Sequence, residues 1–232
     1  IAVSGGLEVA YDRILKMISK GVTVAQLARV AGNFTRAGIL VHAYLMYGFP
    51  TQTAQETIDS LEVVRQLFEA GVVQSGFWHQ FAMTAHSPIG LNPDKFNVKI
   101  ENEKPGSFAN NDLIHDDKTG TNHELFSEGL KKSLFNYMHE IGFELPLQDW
   151  FDFKVPRTTI LPNYIQQTID NVEYELVKTH AKIVWLGGNP SIRYYTKKKK
   201  NQNYELTNLR SVLHCLEVRR TLSSCAPPLC YT

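Results

Sequence analysis

The chain has 232 residues, 43% of them hydrophobic, enough to bury one substantial core as a single domain or a domain with an appendage. Its 24 basic and 23 acidic residues leave a formal charge of +1, so no overall field favours nucleic acid or an anionic membrane. No uninterrupted apolar stretch reaches membrane-spanning length and the first residues lack the pattern of a secretory signal, so no membrane partner and a cytoplasmic location are expected.

Ile1 to Ser4 read as the tail of a strand, with Gly5-Gly6 opening a turn. A chain that enters directly on such a segment reads as starting inside a domain, and an N-terminal truncation is the expectation. Residues Val9 to Ser19 carry Ile14, Leu15 and Ile18 at helical spacing, and Lys20-Gly21 supplies a basic last turn and a glycine stop. A second helix starts at the N-cap candidate Thr23, presents Leu27, Ala31 and Phe34, and stops at Gly38. Ile39 to Tyr47 is nearly continuous in apolar and aromatic residues, the pattern of a strand covered on both faces, and Gly48-Phe49-Pro50 breaks it.

Thr53 with Glu56 three residues later forms a capping box, and Ile58, Leu61, Val64, Leu67 and Phe68 supply the buried face of the helix it opens. Gly71 ends that helix, and Val72 to Thr84 reads as a further strand. The alternation of strand and helix implies crossovers and a parallel sheet, with connections of the length found in (β/α) barrels and doubly wound sheets. Residues Ser87 to Thr121 are polar and turn-rich, a long excursion of the kind that serves as a functional loop or lid. Helical periodicity returns from Asn122 to Gly142, and a further helix is expected near Asn163 to Asn171. Lys182–Leu186 and Ile192–Tyr195 could form a hairpin around Gly187-Gly188-Asn189-Pro190. The run Lys197 to Lys200 reads as a solvated loop, and the segment around Cys225 as a mobile tail.

Three stretches stand in order with the right elements between them: Gly5-Gly6-Leu7-Glu8 at a strand end, Gly38 to Pro50 across a strand and its exit, and Thr51 to Thr57 at a helix start. This constellation resembles the radical S-adenosylmethionine superfamily, in particular members with an N-terminal cobalamin-binding domain. The resemblance covers residues 1 to about 95 and extends in weaker form to about residue 155. It implies an α/β fold built as the C-terminal half of a TIM-like (β/α) barrel with parallel strands, plus a C-terminal α+β extension. Residues 1–95 would be the half-barrel, 96–155 a loop and helical extension, and 156–232 the C-terminal extension. The cofactor contacts that the resemblance implies are Gly5, Gly6, Glu8, Tyr44, Met46, Gly48 and Pro50, with Gly48 leaving room for adenine and Glu8 accepting bonds from ribose hydroxyls or an ammonium group. His79, Gln80 and Thr84, at the end of the third strand, are the substrate candidates.

Two departures qualify the resemblance. Val9 stands where the superfamily has serine, and the Cys-x-x-x-Cys-x-x-Cys loop that would hold a 4Fe-4S cluster is absent. The intact parent would therefore use S-adenosylmethionine and the cluster, with cobalamin a further possibility, while this chain alone would bind no cofactor stably and would be inactive. Its partner would be the missing N-terminal half of the same protein, and its substrate is open. Cys215, Cys225 and Cys230 are spaced unlike a ferredoxin-type cluster site, and His79 with His86 would need a bend to share a metal. The competing reading is a non-catalytic α/β domain whose 87–121 loop holds a partner or nucleotide. An acid–base lyase or isomerase finds no paired carboxylates at strand ends.

Overall fold

The computed structural model describes residues 2–101 and 111–171, together with the strands Ser191–Tyr195 and Asn201–Glu205. The chain divides into two units, Ile1–Tyr174 and Glu175–Thr232.

In the first unit, strand β1 (Ala2–Glu8) is followed by helices α1 (Asp12–Met17) and α2 (Val24–Arg36), strand β2 (Leu40–Tyr47), helix α3 (Ala54–Glu69) and strand β3 (Ser75–Gln80). The strands lie side by side in chain order, all parallel, with Ser4 beside His42 and His42 beside Ser75. Both long helices start on a capping box: Thr23 with Gln26 opens α2, and Thr53 with Glu56 opens α3. Gly38 and Gly71, each with positive φ, turn the chain from a helix toward the next strand.

One face of the sheet carries Val41, Ala43, Leu45, Tyr47 and Trp78 into a core shared with Leu61, Val64, Leu67, Leu130 and Leu134. The other face is different. Leu40, Tyr44 and Phe77 are exposed there, Tyr44 by 46% and Phe77 by 49%. The near-continuous apolar run of β2 therefore belongs to a strand covered on one face by the described residues. This corrects the expected half of a TIM-like barrel: the sheet is an open one of three strands, and a closed cylinder needs strand number, tilt and stagger that three strands do not supply.

The excursion after β3 holds more regular structure than its composition suggests. Helix α4 (Pro88–Leu91) is capped by Ser87, whose hydroxyl accepts from the Gly90 amide at 3.1 Å. Strands β4 (Val98–Ile100) and β5 (His115–Asp117) pair antiparallel, and Thr84 bridges to Asp112. Val98 and Leu113 join Val9, Ile14, Phe49, Met83 and Ile89 in a second, smaller apolar cluster. Apolar side chains hidden among polar neighbours thus fold the two ends of the excursion back onto the domain.

Helix α5 (Ser127–Tyr137) packs near β3 and α3, and α6 (Tyr164–Asp170) near α2 and α3. The polar side of α3 is buried as well, and the chain from Phe143 to Ile165 satisfies it. Asp59 accepts from Thr158 and Thr159, Arg65 donates to the Phe143 carbonyl, and Gln66 bonds Leu161 and Ile165. In the second unit, β6 (Ser191–Tyr195) pairs antiparallel with β7 (Asn201–Glu205), on either side of the lysine run. The expected partner strand Lys182–Leu186, the tail and the three cysteines lie outside the described residues.

Candidate functional site

Parallel pairing brings the carboxyl ends of β1, β2 and β3 to one edge of the sheet, where Glu8 stands beside Leu45 and Tyr47 beside Gln80. Near this edge β1 is irregular: Gly6 pairs with Tyr44 and Glu8 with Leu45, so Leu7 is the extra residue of a bulge. The bulge buries Leu7 in the core and leaves Glu8 in the left-handed region, at φ 53°. From there the Glu8 side chain folds back over Gly6, where a Cβ would collide with its carboxylate. Lys20, just past α1, donates to Glu8 Oε1 at 2.8 Å. Because Gly6 shares its register position with Tyr44, this ion pair sits on the open face of the sheet beside the Tyr44 ring.

The open face carries a run of rings. Tyr44 stacks on His79 with centroids 6.1 Å apart, Phe77 meets His79 edge-on at 4.4 Å, and His42 meets Tyr44 edge-on at 5.2 Å. His42 Nδ1 lies 2.7 Å from Ser75 Oγ. Met46, half-buried, packs against the second apolar cluster.

The exit from β2 is built differently. Gly48 has φ 79°, and its amide, with that of Phe49, donates to Gln52 Oε1. Pro50 is buried. Above Gly48 lies His123, whose Cβ would stand 3.1 Å from a Cβ placed on the glycine. His123 is only 9% exposed, and its Nε2 bonds Asp117 Oδ2 at 3.0 Å. Asp117 Oδ1 accepts from the amides of Thr51 at 3.2 Å and Thr119 at 2.9 Å, so one carboxylate ties the strand exit to the excursion. Burial alone would raise the Asp117 carboxyl, but the bonds from Thr119, His123 and Thr51 outweigh it and hold it below the usual carboxylate range.

On the other side of the same turn, Arg13 spans from α1 to α3. Its Nη2 donates to Glu56 Oε2 at 2.6 Å and to the Thr51 carbonyl at 2.8 Å, and its Nε bonds Glu56 Oε1. Burial raises the Glu56 carboxyl, while Arg13 and Thr53 lower it by more, leaving it below its ordinary value.

Of the residues that the sequence singled out, Gly6, Glu8, Tyr44 and His79 gather on the open face near its carboxyl edge. Gly5 has nothing within 4 Å of where a Cβ would stand. Gly48 is at the same edge under His123, and Gln80 reaches it with its Cγ and accepts from Tyr47 Oη at 3.4 Å. Thr84 lies beyond β3, where its carbonyl accepts from Ser87. Among the described residues no group of three or more His, Cys, Asp or Glu could hold a metal ion. Lys20, Asp117 and His123 were missed: Lys20 reads as a helix-ending cation, and the other two sit in a stretch whose composition suggests only a loop.

No family model matches the chain, and no solved structure matches it. Over 70 residues it is 33% identical to an uncharacterized protein of Methanopyrus kandleri, a match covering 30% of this chain and 13% of that protein. The chain thus spans a small share of that relative's length. The attributes attached to the resemblance, a TIM barrel, an iron–sulfur cluster, metal, S-adenosylmethionine and cobalamin binding, receive no support from these comparisons, and the open sheet overturns the barrel. No helix among the described residues is long and apolar enough to cross a membrane.

Proposed function

We propose that this chain is a piece of a radical S-adenosylmethionine enzyme and that the carboxyl edge of β1 and β2 receives the amino-acid and ribose portions of that cofactor. Glu8 carries the reading. It is a carboxylate at a strand end, held in a left-handed bulge over a bare glycine, with Lys20 beside it. Among the described residues its second oxygen accepts no hydrogen bond. An anion and a cation side by side match the ammonium and carboxylate of an amino-acid moiety, and the same carboxylate can accept from ribose hydroxyls. When bound, S-adenosylmethionine supplies the sulfonium whose reductive cleavage starts radical chemistry. This chain's residues bind and orient it. The cluster does not fit the described residues, which contain no cysteine, so it would belong to the N-terminal half of the parent.

Calorimetric titration of the full chain with S-adenosylhomocysteine tests the reading. Loss of a charge-assisted bond predicts that Glu8→Gln and Lys20→Met each weaken binding by about tenfold or more. Equal affinity in Glu8→Gln and the unaltered chain would remove the proposal, as would the absence of binding. A second reading, a nucleotide-binding domain without redox chemistry, is favoured by the lack of cysteine among the described residues. It predicts the same titration but no cluster absorbance after the N-terminal half is joined and iron and sulfide are supplied.

A further inference from the structure

The turn after β2 and the bulge at the end of β1 lie at one edge of the sheet, but they are not equally exposed. At the bulge the Gly6 position is covered only by the far ends of Glu8 and Lys20, an ion pair whose two side chains are each 30% exposed. At Gly48 the root of a buried imidazole covers the glycine position: His123 Cβ and Cγ would be 3.1 and 3.3 Å from a Cβ there. A glycine with positive φ at a strand exit lets another group come close to the backbone, and in this structure the group that does so is the His123 side chain.

The way His123 is held has a cost. Nε2 donates to Asp117, while Nδ1 is buried without a hydrogen-bond partner among the described residues. Gln52 Nε2, on the side chain that accepts from the Gly48 amide, is likewise buried and unpartnered. Buried polar atoms without partners cost free energy, and two of them on residues that bond or cover one turn mark a contact that a better-matched group can displace. Among the described residues the hydrogen bond that holds His123 runs to a single carboxylate, which also accepts from Thr51 and Thr119.

We infer that His123 is a removable plug, an imidazole held by Asp117 on Gly48 in the place that the nucleobase of the bound nucleoside takes. The inference rests on the nucleoside reading of the preceding subsection and adds a competition between ligand and side chain. The closed arrangement is the ground state of the free chain. Binding of the nucleoside lifts His123 from Gly48 and loosens the amides that Asp117 holds.

The probe is S-adenosylhomocysteine, titrated into the full chain and into His123→Ala and Asp117→Asn, with hydrogen exchange followed at Thr51 and Thr119. Removing a competing closed state tightens apparent binding by the factor it had withheld, so both variants should bind about tenfold more tightly than the unaltered chain. Saturating probe should also speed exchange at Thr51 and Thr119 in the unaltered chain. Far-ultraviolet circular dichroism checks that each variant is folded, and if His123→Ala is not, Asp117→Asn with the exchange data decides. Binding by the unaltered chain that is no weaker than in the variants, with Thr51 and Thr119 still protected, overturns the plug and leaves the nucleoside site standing. No binding by any folded protein overturns both.

Discussion

Asp59 and Thr159 stand a hundred residues apart, and the carboxylate of the first accepts both the amide of the second, at 2.7 Å, and its hydroxyl, at 2.8 Å. Thr158 Oγ1 adds a third bond at 2.8 Å. Asp59 is fully buried midway along α3, so these bonds fasten the later chain to the helix that backs the sheet. Asp59→Ala leaves those donors in the interior without an acceptor, and we expect a loss of about 2–4 kcal/mol, with Asp59→Asn losing less. Urea unfolding of the two variants checks both the size and the order, and a loss near zero for alanine would show that the carboxylate is dispensable.

Three glycines should answer differently to alanine. At Gly6 the new methyl meets the flexible ends of Glu8 and Lys20, so the fold should lose no more than about 1 kcal/mol while the ion pair is displaced and nucleoside binding weakens. At Gly48 the methyl adds left-handed strain to a clash with His123, and about 1–3 kcal/mol is expected. At Gly129, where it would run into the Phe151 ring and the Trp150 carbonyl, a comparable cost comes from overpacking alone. Thermal denaturation of the set tests the order, with Gly6→Ala the mildest.

Acid should weaken the fold through Glu56 and Asp117. Both carboxyls titrate lower in the folded chain than in the unfolded one, where they have values near about 4. As pH falls below that range the unfolded chain takes up protons first, so the stability they contribute, complete above it, drains away through their folded values. Glu56→Gln should be less stable at neutral pH yet flatter with pH in acid. Urea midpoints between pH 2.5 and 7 measure the slope, and parallel curves for the two proteins would exclude Glu56 as a source.

The open sheet face should bind hydrophobic dyes. Tyr44 and Phe77 are half exposed on a parallel sheet, whose faces are ordinarily both covered. Tyr44→Thr with Phe77→Thr keeps β-forming side chains while removing the rings. Anilinonaphthalene sulfonate fluorescence should drop with little change in melting temperature. Unchanged fluorescence would show that the dye-accessible surface lies elsewhere.

Local structure is legible in the sequence where one residue or a short spacing decides it. Thr53 with Glu56 fixes the start of α3, and Gly38 and Gly71 mark helix ends because each takes a positive φ. The bulge at Leu7 has no such signature: a glycine pair followed by Leu-Glu reads equally as a turn, and only pairing with Tyr44 and Leu45 shows the extra residue. Glu8 was legible as a site candidate, but its link to Lys20 depends on how β1 and α1 turn between them. His123 over Gly48 was out of reach, since 75 residues separate them and the excursion had to fold before they could meet. The barrel failed for a related reason. An apolar run tells that a strand can be buried, and Leu40 and Tyr44 show that the described chain buries only half of it.

The strands of the sheet lie in the order in which a ribosome makes them. β2 can dock on β1, and β3 on β2, as each emerges, with no strand waiting for a later one to be threaded between neighbours. The carboxylate of Asp59 has no such luck, because its partners Thr158 and Thr159 are synthesised a hundred residues later. During that interval the polar side of α3 faces solvent, where its charges keep it hydrated while the apolar side settles onto the sheet. The helix is thus suited to both stages: amphipathic while it waits, and buried all round once the chain has returned.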